Sequence, residues 1–298
     1  MSMDVEDFKV MPGKEIKLKS YDPSWVPKWA KKETANKKVV KEHALATLKT
    51  NKKQLFEMQE LFWASGTYSM LIILQGMDAA GKDGTIKHVM SGINPQGCQI
   101  TGFKTPSEEE LKHDFLWRYT KALPERGRIG IFNRSYYEDV LIVKVRPEIL
   151  EKQKLPPQDE GKHFWNYRYE DINLFERHLV RSGTVILKFF LNLSKNQQKK
   201  RLLERLDDPD KEWKFSLTDL SERSKWADYM EAYQEMLNKT STEWAPWYVI
   251  PADKKWVAHA SISKIILLQI KKLDLKYPVL NKEQCEALEK AKAELEKG

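Results

Sequence analysis

From about Glu33 to Ala64, apolar side chains return every three, four or seven positions: Leu45, Leu48, Leu55, Phe56, Met58 and Phe62. That period lines them along one face of an α-helix, and Gly66 supplies a stop. The pattern then changes. "SMLIILQ" (69–75) is a continuous apolar run of strand length that ends in glycines, and "TIKHVMSGI" beyond them reads as the start of a helix. Four more strand-like segments follow: "QITGFKT" (99–105), "RIGIFNRS" (128–135), "TVILKFFLNL" (184–193) and "PWYVIPAD" (246–253). Helical segments separate them: "SEEELKHDFLWRYTKAL", "WNYRYEDINLFERHLVRSG", "NQQKKRLLERL" and "LSERSKWADYMEAYQEMLNKT". Apolar strands alternating with amphipathic helices predict an α/β fold, with about five parallel strands covered on both faces in three α/β/α layers.

The ends of the chain break this rhythm. Residues 1–32 carry Pro12, Pro23 and Pro27 and read as an irregular arm over the surface of a single domain spanning 33–275. "ILEKQKLPPQDEGKHF" (149–164) is a polar, proline-bearing excursion. Residues 276–298 end in "NKEQCEALEKAKAELEKG", an amphipathic helix suited to packing or self-association. There is no internal repeat and no low-complexity tract.

Composition narrows the class. Of 298 residues, 41% are hydrophobic and 32% charged, as in a globular protein with a heavily charged surface. No run approaches the ~18 apolar residues of a membrane span, and "MSMDVEDFKV" has no apolar signal region, so no membrane contact and a cytoplasmic location are expected. Cys98 and Cys285 form neither a disulfide framework nor a C-x-x-C pair. Lys and Arg number 51 against 43 Asp and Glu, a net +8. That excess suits a solvated basic surface or a polyanionic partner, and charge alone does not choose between them.

"GMDAAGKDGT" (76–85) adds chemistry. It nearly spells the phosphate loop G-x-x-x-x-G-K-[ST], with Gly76, Gly81 and Lys82 in place and Asp83 where a hydroxyl belongs. Its setting between a buried strand and a helix is the one the chemistry needs. Backbone N–H groups from Gly76 through Ala79, Ala80, Gly81 and Gly84 to Thr85 curl round phosphate oxygens, and the helix N-terminus adds positive potential. Asp78 either holds a divalent cation between itself and phosphate or bonds its own backbone as a turn residue. Asp83 either binds metal or is an acid favoured in a first helical turn. Arg134, at the end of a strand where α/β sheets bind ligands, is placed to grip phosphate. Glu138 and Asp139 orient Arg134, touch acceptor or metal, or are solvated acids. Lys199, Lys200, Arg201 and Arg205 share a helix face opposite Leu202, Leu203 and Leu206. Phe115 and Trp117 read as core residues of an amphipathic helix. Lys188 interrupts an apolar strand, which suggests a sheet edge facing an anion channel. The six histidines (43, 88, 113, 163, 178, 259) show no ligand spacing, so a phosphohistidine has no evident carrier.

Taken together, "LQGMDAAGKDGTIKHVMSGINPQG", "FLWRY", "GIFNRSYYEDVL", "ILKFFLNLSKNQQKKRLLERLDDPDKEWKFS" and "TSTEWAPWYVIPAD" resemble the polyphosphate kinase 2 family, from about Tyr21 to Leu275. The resemblance implies a thymidylate-kinase-like P-loop kinase fold with a helical lid, here within about 195–240. It implies reversible Mg²⁺-dependent transfer, with Mn²⁺ as a possible substitute, from inorganic polyphosphate to ADP or AMP. The expected partners are polyphosphate and ADP, AMP and ATP, with no nucleic acid, in a homodimer or homotetramer. Asp78, Lys82, Arg134, Arg201 and Arg205 are the expected catalytic set, with Asp78 and Asp83 on the metal. Polyphosphate would lie along the loop, Lys87, Lys188 and Arg201. The acceptor would meet Asp78, Phe103, Thr105, Arg118, Asn133, Arg134, Tyr136 and Glu138. Asn133 stands where many relatives carry a Walker-B-like aspartate, which shifts metal binding toward the two loop acids. The rival readings are a conventional ATP-dependent nucleoside monophosphate kinase and a non-catalytic polyanion- or RNA-binding module.

Overall fold

A computed structural model describes residues 4–31, 37–156 and 162–297. The predicted start of the first helix and the 32/33 boundary of the arm lie outside these residues. In order the elements are α1 (Lys37–Ser65), β1 (Ser69–Gln75), α2 (Lys82–Val89), β2 (Cys98–Gly102), α3 (Trp117–Thr120) and β3 (Ile129–Asn133). There follow α4 (Ile142–Val145), α5 (Pro147–Leu150), α6 (Lys162–Arg181), β4 (Thr184–Asn192), α7 (Lys195–Leu206), α8 (Leu217–Ser224) and α9 (Trp226–Thr240). β5 (Trp247–Pro251), α10 (Lys255–Lys271) and α11 (Lys282–Leu295) complete the chain.

The five strands form one parallel sheet in the order β2-β3-β1-β4-β5. Apolar runs make β1, β3, β4 and β5 because both faces are covered, whereas β2, at the edge, is partly exposed. Met70, Ile72 and Leu74 of β1 enter the layer of α1, α2 and α10. Leu71 and Ile73 point the opposite way, into the layer of α6 and α9. β1 lies between β3 and β4, so its C-terminal end, where the glycine loop begins, opens at the crevice in which such sheets bind ligands.

Four expectations change. The N-terminal arm is built into the fold: Phe8, Val10 and Leu18 are buried, Val10 N–H donates to the Trp247 carbonyl at 2.8 Å, and Lys9 bridges Tyr248 antiparallel. It thereby caps the outer edge of β5. "SEEELKHDFLWRYTKAL" is two single turns rather than one helix. Asp114 bonds the Leu116 N–H at 2.9 Å and breaks the run, so Phe115 and Trp117 are only partly buried. The segment after 215 is two helices parted at Lys225, and α9 sends Tyr233, Met236 and Leu237 into the core. Finally, α10 packs on α1, α2, β4 and β5 although periodicity had offered no helix there.

Candidate functional site

The loop after β1 takes the shape its glycines allow. Gly76 has φ +152°, and a Cβ there would come within 2.9 Å of the Leu191 carbonyl oxygen. Gly81, at φ +107°, is the N-cap of α2, whose first turn contains Lys82 and Asp83. Ala79 also sits left-handed, at φ 62°. Lys82 is buried in the loop's concavity, where its Nζ donates to the carbonyls of Gly76 at 2.6 Å and Met77 at 3.3 Å. Burial, then the Arg134 charge, lowers its pKa to about 8 against the opposing pull of Asp78, Glu138 and Asp83.

β3 delivers two residues to this loop. Asn133 Nδ2 donates to Asp83 Oδ1 at 2.6 Å. Arg134, in a left-handed conformation at φ 67°, pairs with Asp78 at 2.7 Å and Glu138 at 3.1 Å. The Glu138 carboxylate, aided by Asp78, holds its pKa above the usual arginine value despite burial. Sequence reasoning had brought these five side chains to one place, and the structure gathers them there. Thr85 is buried in α2, whereas Lys87 and Thr105 are exposed.

Other expected residues lie elsewhere. Lys188 is in the interior of β4, not at an edge: the alternation that sends Leu187 and Phe189 one way turns it toward α6. There it donates to Glu176 Oε2 at 2.6 Å, Tyr137 Oη at 2.9 Å and the Thr240 carbonyl at 2.7 Å, with no exposure to an anion channel. Tyr136 is fully buried in the same cluster and donates to Glu176 at 2.8 Å, so it does not face a nucleotide. Phe103 is buried in the core, packed between Tyr119 and Phe132. Arg201 is buried beneath the loop. Its Nη1 donates to the carbonyls of Ala79 and Ala80 at 2.8 and 2.9 Å, and its Nη2 to that of Ala252 at 2.5 Å. The buried face of α7 is therefore Gln198, Arg201 and Leu202, while Leu203 and Leu206 are exposed. Arg205 reaches across to α8 and pairs with Asp219 at 3.2 Å.

Beside the end of β3 a cleft of about 550 Å³ opens between the segment after β2 and α6. Arg118 stands at its wall, bound to the Lys104 carbonyl at 3.0 Å and to Glu110 at 3.3 Å. Of its interior, sequence reasoning had named Asp139 and Phe115 but not Arg168, Gln153 or Phe164. Arg168 spreads over the rings of Phe115 and Phe164 and approaches Asp139 at 3.5 Å, and Gln153 bonds both. Burial pushes the Asp139 carboxyl up to about 6 against the pull of Arg168 and Gln153. The only signal was the position of Asp139 beside Glu138.

Among the described residues no three His, Cys, Asp or Glu side chains converge on a metal site. Asp78 and Asp83 flank the loop separately. That donor set fits an ion such as Mg²⁺, which takes one or two carboxylates and completes its shell with substrate phosphate and water.

The chain is 48% identical to an ADP-polyphosphate phosphotransferase of Rhodopseudomonas palustris, over 93% of each chain. It is 43% identical to an AMP/ADP-polyphosphate phosphotransferase of Meiothermus ruber, over 92% of this chain and 96% of that one. The crystal structure of polyphosphate kinase 2 from Arthrobacter aurescens TC1 superposes with a TM-score of 0.82 at 41% identity, over 95% of both chains. Residues 36–278 match the sequence profile described as Polyphosphate kinase 2 (PPK2), and the chain belongs to that family.

Proposed function

We propose that this protein transfers the terminal phosphoryl group of inorganic polyphosphate to ADP or AMP, reversibly and without a covalent enzyme intermediate. The observation that carries the reading is the loop itself, where a buried Lys82 lies beside the Arg134 pair with Asp78 and Glu138. An acceptor phosphate oxygen attacks the terminal phosphorus in line as the bridging P–O bond of the polyphosphate breaks. The protein's part is positioning and charge compensation. Loop N–H groups and Lys82 hold the transferred group. Arg134 moves its guanidinium from Asp78 to the acceptor phosphate, and Glu138 keeps it aligned. Arg205, on the lid side of the crevice, offsets charge on the departing chain.

Asp78 and Asp83 are the residues that would hold Mg²⁺, or Mn²⁺ in its place, with phosphate oxygens filling the shell. When bound, the ion neutralises charge on the transferring phosphates. The acceptor nucleoside lies toward the 550 Å³ cleft, whose lining joins the apolar Phe115 and Phe164 to the polar atoms of Asp139, Arg168 and Gln153. In this reading Arg118, at the cleft wall, meets the nucleotide, and Phe103 stays in the core.

The test is a donor assay with Mg²⁺ present and polyphosphate as the sole phosphoryl source. ATP from ADP, or ADP from AMP, is the expected product. Lys82→Ala should lower turnover by about 100-fold or more. No nucleotide product from either acceptor overturns the reading.

A further inference from the structure

Three successive carbonyl groups of the phosphate loop are taken by side chains of one helix. Ser194 caps α7, accepting from the Gln197 N–H at 3.1 Å, and fixes where the helix starts beneath the loop. Gln198 and Arg201, three residues apart, then share the face turned toward the loop. Gln198 Nε2 donates to the Asp78 carbonyl at 3.0 Å, and Arg201 Nη1 to those of Ala79 and Ala80.

A trans peptide holds its C=O and N–H on opposite sides. Drawing the Asp78 and Ala80 carbonyls toward α7 therefore turns the N–H groups of Ala79 and Gly81 to the loop's open side, where phosphate must sit. The Ala80 N–H is spent differently, closing a turn onto the Met77 carbonyl at 3.0 Å. Ala79 is held left-handed without glycine's freedom, and such a conformation persists only where its surroundings fix it. Arg201 supplies one such anchor, and Gln198 supplies the adjacent one.

The other end of the Gln198 amide is also occupied. Its Oε1 accepts from Arg223 Nη1 at 2.9 Å, and the same nitrogen donates to the Lys195 carbonyl at 2.7 Å. Arg223 lies in the last turn of α8, the helix whose Asp219 pairs with Arg205. One fully buried amide thus joins α8 to the loop.

We infer that Gln198 is a positioning residue for phosphoryl transfer, aligning the loop's peptide planes on phosphate and coupling them to α8 through Arg223. The inference rests on the phosphoryl-transfer reading but assigns a role to a residue outside the reacting set. Gln198→Met keeps the volume and removes both hydrogen bonds. Its kcat should fall by about 100-fold, with the KM for ADP within about twofold of wild type, as for a misaligned rather than an unbound substrate. Arg223→Met should cost about 10-fold in kcat, Arg223→Lys should restore part of it, and Arg223→Met added to Gln198→Met should cost less than about twofold more. Equilibrium titration with tripolyphosphate provides a readout independent of turnover, and Gln198→Met should bind it about 10-fold more weakly. A folded Gln198→Met protein with wild-type kcat, or with unchanged tripolyphosphate affinity, overturns the inference, as do multiplicative losses in the double variant. An inactive wild type overturns the phosphoryl-transfer reading instead, and the titration then still decides the role of Gln198. If Gln198→Met does not fold, Gln198→Glu, which retains an acceptor for Arg223 and no donor for the Asp78 carbonyl, must show the same loss of tripolyphosphate affinity.

Discussion

Lys82 is the residue on which the loop's electrostatics converge. Burial and Arg134 push its pKa down to about 8, while three nearby carboxylates resist. A phosphate ligand needs the ammonium form, so the free enzyme loses its competent state as pH rises through about 8. Stability runs the other way. Between pH 8 and the ordinary lysine value of 10.5 the unfolded chain binds the extra proton, so this group alone makes folding more favourable as pH rises. The expected outcome is a kcat/KM for polyphosphate that declines above about pH 8, while the melting temperature does not decline because of Lys82. A profile flat to pH 9.5 would show that Lys82 keeps its charge in the empty loop. The loop's conformation was legible in the sequence because glycine spacing encodes backbone conformation directly. The roles of Arg201, Phe103 and Tyr136 were not, because a basic or aromatic side chain at a plausible position can face either the cleft or the core. Tertiary packing decides which: Arg201 met four carbonyls, and Tyr136 met Glu176.

Between elements, the same ambiguity shaped the reading of β4. A lysine inside an apolar strand pointed to an edge, but Glu176 of α6 lies opposite and both charges are fully buried. Their hydrogen bonds, with those of Tyr136 and Tyr137, satisfy the pair and tie the sheet to α6. Breaking one partner should therefore cost far more than the pair contributes: Lys188→Ala leaves Glu176 uncompensated and should destabilise by about 3–5 kcal/mol. Chemical denaturation measures that loss. Any folded Lys188→Met protein should keep the wild-type KM for polyphosphate, and a raised KM would restore Lys188 to the anion channel. β1, β3 and β5 were legible for the reason that misled here, since apolar runs report burial but not its direction. α10 shows the limit of periodicity most clearly. Val257, Ala258, Ala260, Ile262, Ile265 and Ile266 are all buried, so the helix has little polar face to set a period. α7 was found by its polar face, yet which of its leucines faced inward was decided by the loop carbonyls that captured Gln198 and Arg201.

Across the whole molecule, the arm, which the sequence presented as an irregular surface segment, and the tail, which it presented as an amphipathic helix for packing or self-association, have opposite fates. The arm contributes Phe8, Val10 and Leu18 to the core and closes the β5 edge, so its removal would open a sheet edge and two hydrophobic layers. The tail lies beyond the body: every described residue from Lys276 through Lys297 is exposed, with Val279 at 94% and Leu295 at 83%. α11 is nevertheless well formed at its start, where Asn281 and Gln284 make a reciprocal capping box. A 14-residue helix is marginal in water without packing, so the body owes α11 little and α11 takes little from the body. The family match ends at residue 278, and the glycine loop, Arg134 and the cleft residues all lie within it. Deleting residues 276–298 should therefore leave the melting temperature within about 2 °C of the full chain and kcat within about twofold. Light scattering on the same two proteins tests whether the tail's apolar positions join copies of the chain. A fall in mass on deletion, with kcat and melting temperature unchanged, assigns the tail to assembly. A melting temperature lowered by about 5 °C or more would show instead that α11 folds back onto the body.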